Sequence, residues 1–278
     1  MSLSLHRLLI LAFVAALLSG CGLFGKREDP LETMPVEEMY AAGKDALMAG
    51  NYSRASRYYG RLVSRFPFGE YTEQAMLDLS YSQFKAGKPE EATSTLNRFI
   101  RTYPTHRHID YAFYLKALIN FSRENVFLER FARLDMTQRD QGATRQSFDD
   151  FAVLVQRFPT SRYAADARQR MVYLRNLMAR HELGVGLYYL KRGAFVAAAN
   201  RGEFIIENYP QSQHQNDALA LMAEAYTRLG EDTLAGDARR VLELNDASHP
   251  ALAGDWPRRR GWWWRLIPFS GDGRATRR

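Results

Sequence analysis

An aromatic residue followed by proline recurs along this chain, and that recurrence constrains its fold more than any other feature. Phe66-Pro67, Tyr103-Pro104, Phe158-Pro159 and Tyr209-Pro210 are joined by a weaker instance, His249-Pro250. The proline-to-proline intervals are 37, 55, 51 and 40 residues. Periods of this order mark stacked repeats. Ahead of each proline lies a stretch with helical apolar spacing, such as Leu96, Phe99 and Ile100. These stretches come in pairs split by a turn that carries glycine. Proline lacks an N–H and biases the residue before it away from helix, so it ends the second helix of each pair. One pair cannot bury its apolar face alone, whereas stacked pairs can.

The local pattern resembles the tetratricopeptide repeat (TPR), a helix–turn–helix unit of about 34 residues. The fourth copy is the clearest, with Gly186, Tyr189, Gly193, Ala198 and Pro210 at the small, aromatic, turn, small and terminal positions. The first copy gives Gly43, Gly50, Ala55, Tyr59 and Pro67; the second, Gly87, Ala92 and Pro104; the fifth, Ala223, Tyr226, Gly230 and Ala235. Small residues let two helices approach closely, and the aromatic at the next turn fills the gap. The third copy is irregular. Its helices near 109–123 and 147–158 are split by a charged insert, 125–145, that holds Asp135, Arg139, Asp140 and Gly142. Residues 163–182 then read as one continuous helix with Met171, Leu174 and Met178 on one stripe. Strand signals are nearly absent. The expected fold is all-α: a solenoid of about five TPR-like helix pairs, with N-terminal block 36–162, C-terminal block 163–248 and the long helix joining them. An irregular helical bundle is the competing reading, and the ordered matches speak against it.

The N-terminus is an address rather than part of that fold. His6 and Arg7 precede an apolar run from Leu8 to Leu18. A membrane span needs ~20 residues to cross ~30 Å of hydrocarbon, so this run has instead the length of a signal-peptide core. Cys21 is the single cysteine, which excludes an internal disulfide and a Cys-based zinc site. Leu18-Ser19-Gly20-Cys21 resembles the bacterial lipobox. That resemblance implies a lipoprotein signal peptide over 1–20 and acylation of Cys21, with no cofactor beyond this covalent lipid. The alternative is an ordinary secreted leader with a chance cysteine. Gly22, rather than Asp, follows the cysteine, which among lipoproteins implies transport onward to the outer membrane. Residues 21–35, with Gly, Pro and charges, read as a flexible tether.

Longer strings are more specific. Arg65-Phe66-Pro67-Phe68-Gly69 with Tyr71, Leu77-Asp78-Leu79 with Tyr81, Arg98-Phe99-Ile100-Arg101, Pro104-Thr105-His106 with Ile109-Asp110-Tyr111, and Arg192-Gly193-Ala194 with Asn200-Arg201 are similar to the BamD family of lipoproteins. That family belongs to the outer-membrane β-barrel assembly (BAM) machinery, and the similarity covers roughly 18–248. It implies a non-catalytic scaffold on the periplasmic face of the outer membrane. N-terminal repeats would receive the targeting segment of unfolded outer-membrane proteins. C-terminal repeats would dock a BamA-like barrel subunit, and accessory BAM lipoproteins would bind the outer faces. By position, Asn200 and Arg201 would contact the barrel subunit, Arg201 through an acidic residue. Phe68, Tyr71, Tyr81, Tyr111 and Tyr114 would line or buttress the substrate pocket. Each aromatic reads equally as repeat core, and Arg201 reads also as a solvated helix residue. A periplasmic TPR adaptor for cell-envelope or peptidoglycan enzymes is the alternative function.

Enzyme constellations are missing. Gly43-Lys44 is followed by Asp45 and Gly87-Lys88 by Pro89, so neither is a phosphate loop, and no G-x-S-x-G or H-E-x-x-H occurs. His106 and His108 are two apart and would not share a helix face, so no metal site is expected. Of the +7 net charge, +5 sits in residues 251–278, where seven arginines face two aspartates, and +1 is Arg7 of the leader. The body is therefore nearly neutral, which disfavours a nucleic-acid face. The segment 249–278 is a basic tail with all four tryptophans, Trp256, Trp262, Trp263 and Trp264. Trp and Arg together suit a membrane interface; docking on a partner subunit and simple disorder are the other readings.

Overall fold

The computed structural model describes residues 30–130 and 141–257, and among them no strand occurs. Contacts divide the chain into two compact units between Pro104 and Thr105. The first holds α1 (Pro30–Thr33), α2 (Val36–Met48), α3 (Tyr52–Arg65), α4 (Glu70–Lys85) and α5 (Pro89–Thr102). The second holds α6 (Ile109–Arg130), α7 (Gly142–Arg157), α8 (Ala164–Lys191), α9 (Phe195–Asn208), α10 (Gln215–Leu229) and α11 (Asp232–Asn245). From α2 to α5, and again from α6 to α11, each helix packs on its successor, so both units are built of consecutive helix pairs.

The aromatic-proline recurrence has one structural meaning. Phe66, Tyr103, Phe158 and Tyr209 end α3, α5, α7 and α9 with φ of −124°, −127°, −132° and −126°. That is the extended region to which a following proline confines its neighbour. Each N–H still donates to the carbonyl four residues back, on Leu62, Phe99, Leu154 and Ile205, at 2.8–2.9 Å. Those four acceptors are fully buried. A repeat thus places a core side chain and the last helical hydrogen bond at a fixed distance ahead of its proline. His249-Pro250 differs. It does not end α11 but opens a short 3-10 turn, Pro250–Ala253.

Small residues sit where helices meet. A Cβ built on Gly43 would lie 2.8 Å from Cε1 of Tyr59, whose ring is fully buried. On Gly202 it would lie 2.5 Å from Met222 Cγ and 2.9 Å from the Ala218 carbonyl oxygen, so α9 and α10 touch nearly backbone to backbone. The turn within the first pair uses Gly50 at φ 72°, the left-handed region open to glycine.

Three boundaries differ from expectation. The long helix α8 extends to Lys191 rather than residue 182. Its first half buries Ala167 and Leu174 with Phe151 and Leu154 of α7, and its second half buries Met178, Ala179 and Leu183 with α9 and α10. It joins the third pair to the fourth, as expected, but does so inside the second unit. The block division expected after residue 162 therefore differs from the contact division after Pro104. Next, α6 runs to Arg130 and α7 starts at Gly142, so helix takes up both ends of the expected insert; Asp135, Arg139 and Asp140 lie outside the described residues. Last, the end of the expected tether is held. Leu31 is buried, Arg65 Nη1 donates to the Met34 carbonyl at 2.9 Å, and Arg61 pairs with Glu32.

Candidate functional site

The aromatics singled out by sequence divide between the units. In the first unit, Phe68 lies on the α3–α4 connection and is 84% exposed. Tyr71, in the first turn of α4, is partly exposed and packs on Tyr40 at a ring distance of 5.5 Å. Tyr40 is fixed in turn: its hydroxyl donates to Asp78 at 3.1 Å, and Gln74 donates to the other oxygen at 3.0 Å. Burial, reinforced by the Asp78 carboxylate, pushes the Tyr40 phenol well above its ordinary range, so it stays a donor. Tyr81 is half-buried, edge-on to Tyr52 at 6.3 Å, with Lys85 Nζ 5.6 Å from the Tyr52 ring centre. Phe68 is thus an open apolar contact, Tyr71 a supported one, and Tyr81 part of a packed edge.

In the second unit, Tyr111 and Tyr114 converge on Tyr163, the residue before α8. Tyr114 stacks on it at 4.6 Å and 16°, and Tyr111 tilts against it at 5.6 Å. The Tyr114 hydroxyl donates to Asp166 at 2.6 Å, as does Arg170 Nε at 2.6 Å. Burial, then the bond to Asp166, pushes the Tyr114 phenol up to about 12. Burial also opposes ionisation of Asp166, but the hydrogen bonds from Arg170 and Tyr114 outweigh it and hold its pKa below the ordinary value. Tyr111 and Tyr114 thus both pack on the Tyr163 ring. Sequence reasoning passed over Tyr163 because it begins a helix and carries no repeat position.

Arg201 and Asn200 lie on α9. Asn200 is exposed, one turn from Val196, which is 59% exposed. Arg201 Nη1 donates to Glu182 Oε2 of α8 at 2.8 Å, with side-chain exposures of 39% and 11%. Its acidic partner in this structure is thus within the chain. Glu182 was legible in part: it falls one turn after Met178 on the buried stripe of α8, and a carboxylate at such a position needs a cation.

The tail expectation splits. Trp256 packs with Leu219, Ala220 and Leu242 and donates its indole N–H to Asp217 at 3.0 Å. His214 and His249 flank the same carboxylate at 3.7 and 3.4 Å. The neighbouring His214, together with the Trp256 indole N–H and His249, outweighs burial and holds the Asp217 pKa below its ordinary value. Residues 249–257 are thus folded onto α10 and α11. Cys21, Trp262, Trp263 and Trp264 lie outside the described residues. Among the described residues there is no cluster of metal-ligating side chains and no helix long and apolar enough to cross a membrane.

Comparison with known proteins adds to this geometry. Residues 32–242 match the family model YfiO, described as outer membrane lipoprotein. An outer membrane protein assembly factor BamD from Xylella fastidiosa is 44% identical over 98% of this chain and 92% of its own length. The BamD of Neisseria meningitidis serogroup A is 39% identical over 94% of this chain and 99% of its own. That of Pasteurella multocida is 37% identical over 77% and 83%. The 2% left out of the Xylella alignment is shorter than residues 251–278, so the tail, expected to fall outside the resemblance, is largely within the range shared with that relative. The family model spans every helix from α2 to α10 and most of α11, and the chain belongs to the YfiO family of outer membrane lipoproteins, among whose relatives are the BamD assembly factors.

Proposed function

We propose that this chain acts as an outer membrane protein assembly factor without catalysis: a scaffold anchored by lipid on Cys21 at the periplasmic face of the outer membrane. The observation that carries this reading is the match to BamD assembly factors along nearly the whole chain, at up to 44% identity. Two surfaces support a division of labour. Phe68 stands open beside the supported Tyr71, and covering an exposed aromatic yields ~1.5–3 kcal/mol. A substrate segment ending in an aromatic residue suits that surface. On α9, Arg201 is bound to Glu182 through Nη1 alone, while a guanidinium carries five N–H donors. A carboxylate on a BamA-like barrel subunit can therefore join without breaking the internal pair. Accessory BAM lipoproteins would take the remaining faces.

The test is capture of the barrel subunit from detergent-solubilised outer membranes by the full-length lipoprotein. Arg201→Gln should lower capture roughly tenfold, the loss expected for one charge-assisted hydrogen bond, with helical circular dichroism unchanged. Glutamine is the proper replacement, because Glu at 201 would set a second carboxylate against the buried Glu182. Undiminished capture by Arg201→Gln overturns the role of Arg201. Recovery of peptidoglycan enzymes in place of a barrel protein overturns the assembly reading.

A further inference from the structure

Helix α3 carries Arg54, Arg57, Arg61 and Arg65 and neither an aspartate nor a glutamate in its 14 residues. At 3.6 residues per turn these four side chains fall within about 80° of the helix circumference. The opposite side is the packed one, where Ala55, Tyr59, Leu62 and Val63 are buried. The body of the chain is nearly neutral, so this strip is a local concentration of positive charge.

The two ends of the strip are engaged differently. Arg65 Nη1 donates to the carbonyls of Leu31 and Met34 at 2.5 and 2.9 Å, and Cζ lies 4.9 Å from the Phe66 ring centre. Arg61 pairs with Glu32. Arg54 Cζ lies 5.5 Å from the Tyr58 ring centre, and its Nη2 donates to the Tyr58 hydroxyl at 3.3 Å. Arg54 and Arg57 are exposed, and no carboxylate of the described residues lies within 4.0 Å of either. One end thus grips the chain that arrives from the N-terminus, and the other presents guanidinium groups without matching anions.

What lies upstream of Leu31 decides the partner. Cys21 is ten residues away, and ten residues reach at most ~33–36 Å when fully extended. An acyl chain on Cys21 therefore holds Leu31, and with it the last turn of α3, within about that distance of the bilayer, whatever path the intervening residues take. On so short a tether weak contacts with headgroups become intramolecular and add up. The fork of N–H donors on a guanidinium matches phosphate oxygens.

We propose that the arginine strip of α3 lies against the anionic headgroups of the bilayer that holds the lipid on Cys21. Arg54 and Arg57 contact lipid phosphates, and Arg61 and Arg65 fix the incoming chain. The inference rests on the reading that Cys21 is acylated. The anchor then sets which side of the first unit faces the membrane as well as its distance.

The experiment uses the full-length lipoprotein in vesicles of phosphatidylcholine, made with or without phosphatidylglycerol. Cys21 is the single cysteine and is taken up by the lipid, so Ser64→Cys, exposed on the same side of α3, offers one thiol for a fluorophore. Quenching by a lipid-borne quencher reads its distance from the surface. Quenching should be several-fold stronger with phosphatidylglycerol, and raising the salt should remove the difference. Arg54→Gln with Arg57→Gln should remove it too, with helical circular dichroism unchanged, whereas Lys at both positions should keep it. Equal quenching in the two vesicle types, strong or weak, overturns the headgroup contact and leaves the lipid anchor standing. A difference that survives the double Gln substitution assigns the attraction to another basic segment and also overturns it. Unchanged quenching with lost capture of accessory lipoproteins makes the strip a protein contact and overturns it as well. Failure of the lipoprotein to float with either vesicle overturns the anchor on Cys21 along with the strip.

Discussion

Glycine shows most clearly how single residues hold this molecule together, because its positions call for opposite predictions. A methyl group at Gly202 would meet the Ala218 carbonyl oxygen at 2.9 Å and Met222 Cγ at 2.5 Å. The backbone oxygen cannot step aside without moving α10 off α9. Gly202→Ala should therefore destabilise the protein, by about 1–3 kcal/mol as overpacked sites do, and chemical denaturation would measure it. Gly184, inside α8, has nothing within 4 Å of the same methyl position. There Ala lowers the unfolded chain's entropy and improves helix propensity, so Gly184→Ala should stabilise by about 0.5–1 kcal/mol. A loss of stability at residue 184 would show that this reading of α8 is mistaken. The sequence marked Gly186 as a repeat position but did not separate Gly184 from Gly202, since the difference lies in the neighbouring helix.

Helices and their ends were the most legible level. Aromatic-proline pairs located the C-termini of α3, α5, α7 and α9, because proline's restriction of its predecessor is local and needs no tertiary partner. What escaped was tertiary. The pairing of Arg201 with Glu182 and the packing of Tyr111 and Tyr114 on Tyr163 depend on which helix faces which. The docking of residues 249–257 is of the same kind: their Trp, Gly and Pro resemble the basic tail in composition, and what distinguishes Trp256 is its seat on Leu219 and Leu242 and its bond to Asp217 of α10. That contact predicts a pH dependence. The folded-state pKa of Asp217 is lowered, first by His214. A depressed carboxylate contributes stability that is present above its unfolded value of ~4 and is lost as pH falls through the folded value. Asp217→Ala should thus reduce amide protection of α10 and α11 at neutral pH, and the gap from the parent protein should close in acid below about pH 4. A gap that persists there would assign the effect to packing rather than to charge.

At the scale of the whole molecule, the positive charge concentrates beyond Trp256, which is seated on Leu219 and Leu242. Residues 258–278 hold seven arginines and one aspartate, so their removal takes the net charge of the full chain from +7 to +1. Two truncations then have different expected outcomes. Ending the chain after Pro257 should leave thermal unfolding unchanged, because the Trp256–Asp217 contact is kept. It should weaken binding of Cys21→Ser protein, which has no thiol to acylate, to anionic vesicles by tenfold or more. Each basic residue near such a surface contributes about 1 kcal/mol, and raising the salt should abolish the difference. Ending the chain after Gly254 should weaken vesicle binding equally but also lower the unfolding temperature, since Trp256 leaves its seat and its hydrogen bond. If both truncations bind vesicles as the parent does, the basic segment contacts protein rather than lipid. If both unfold as the parent does, Trp256 contributes nothing to the last helix pair, and the cap at the end of the repeats must lie within α11 itself.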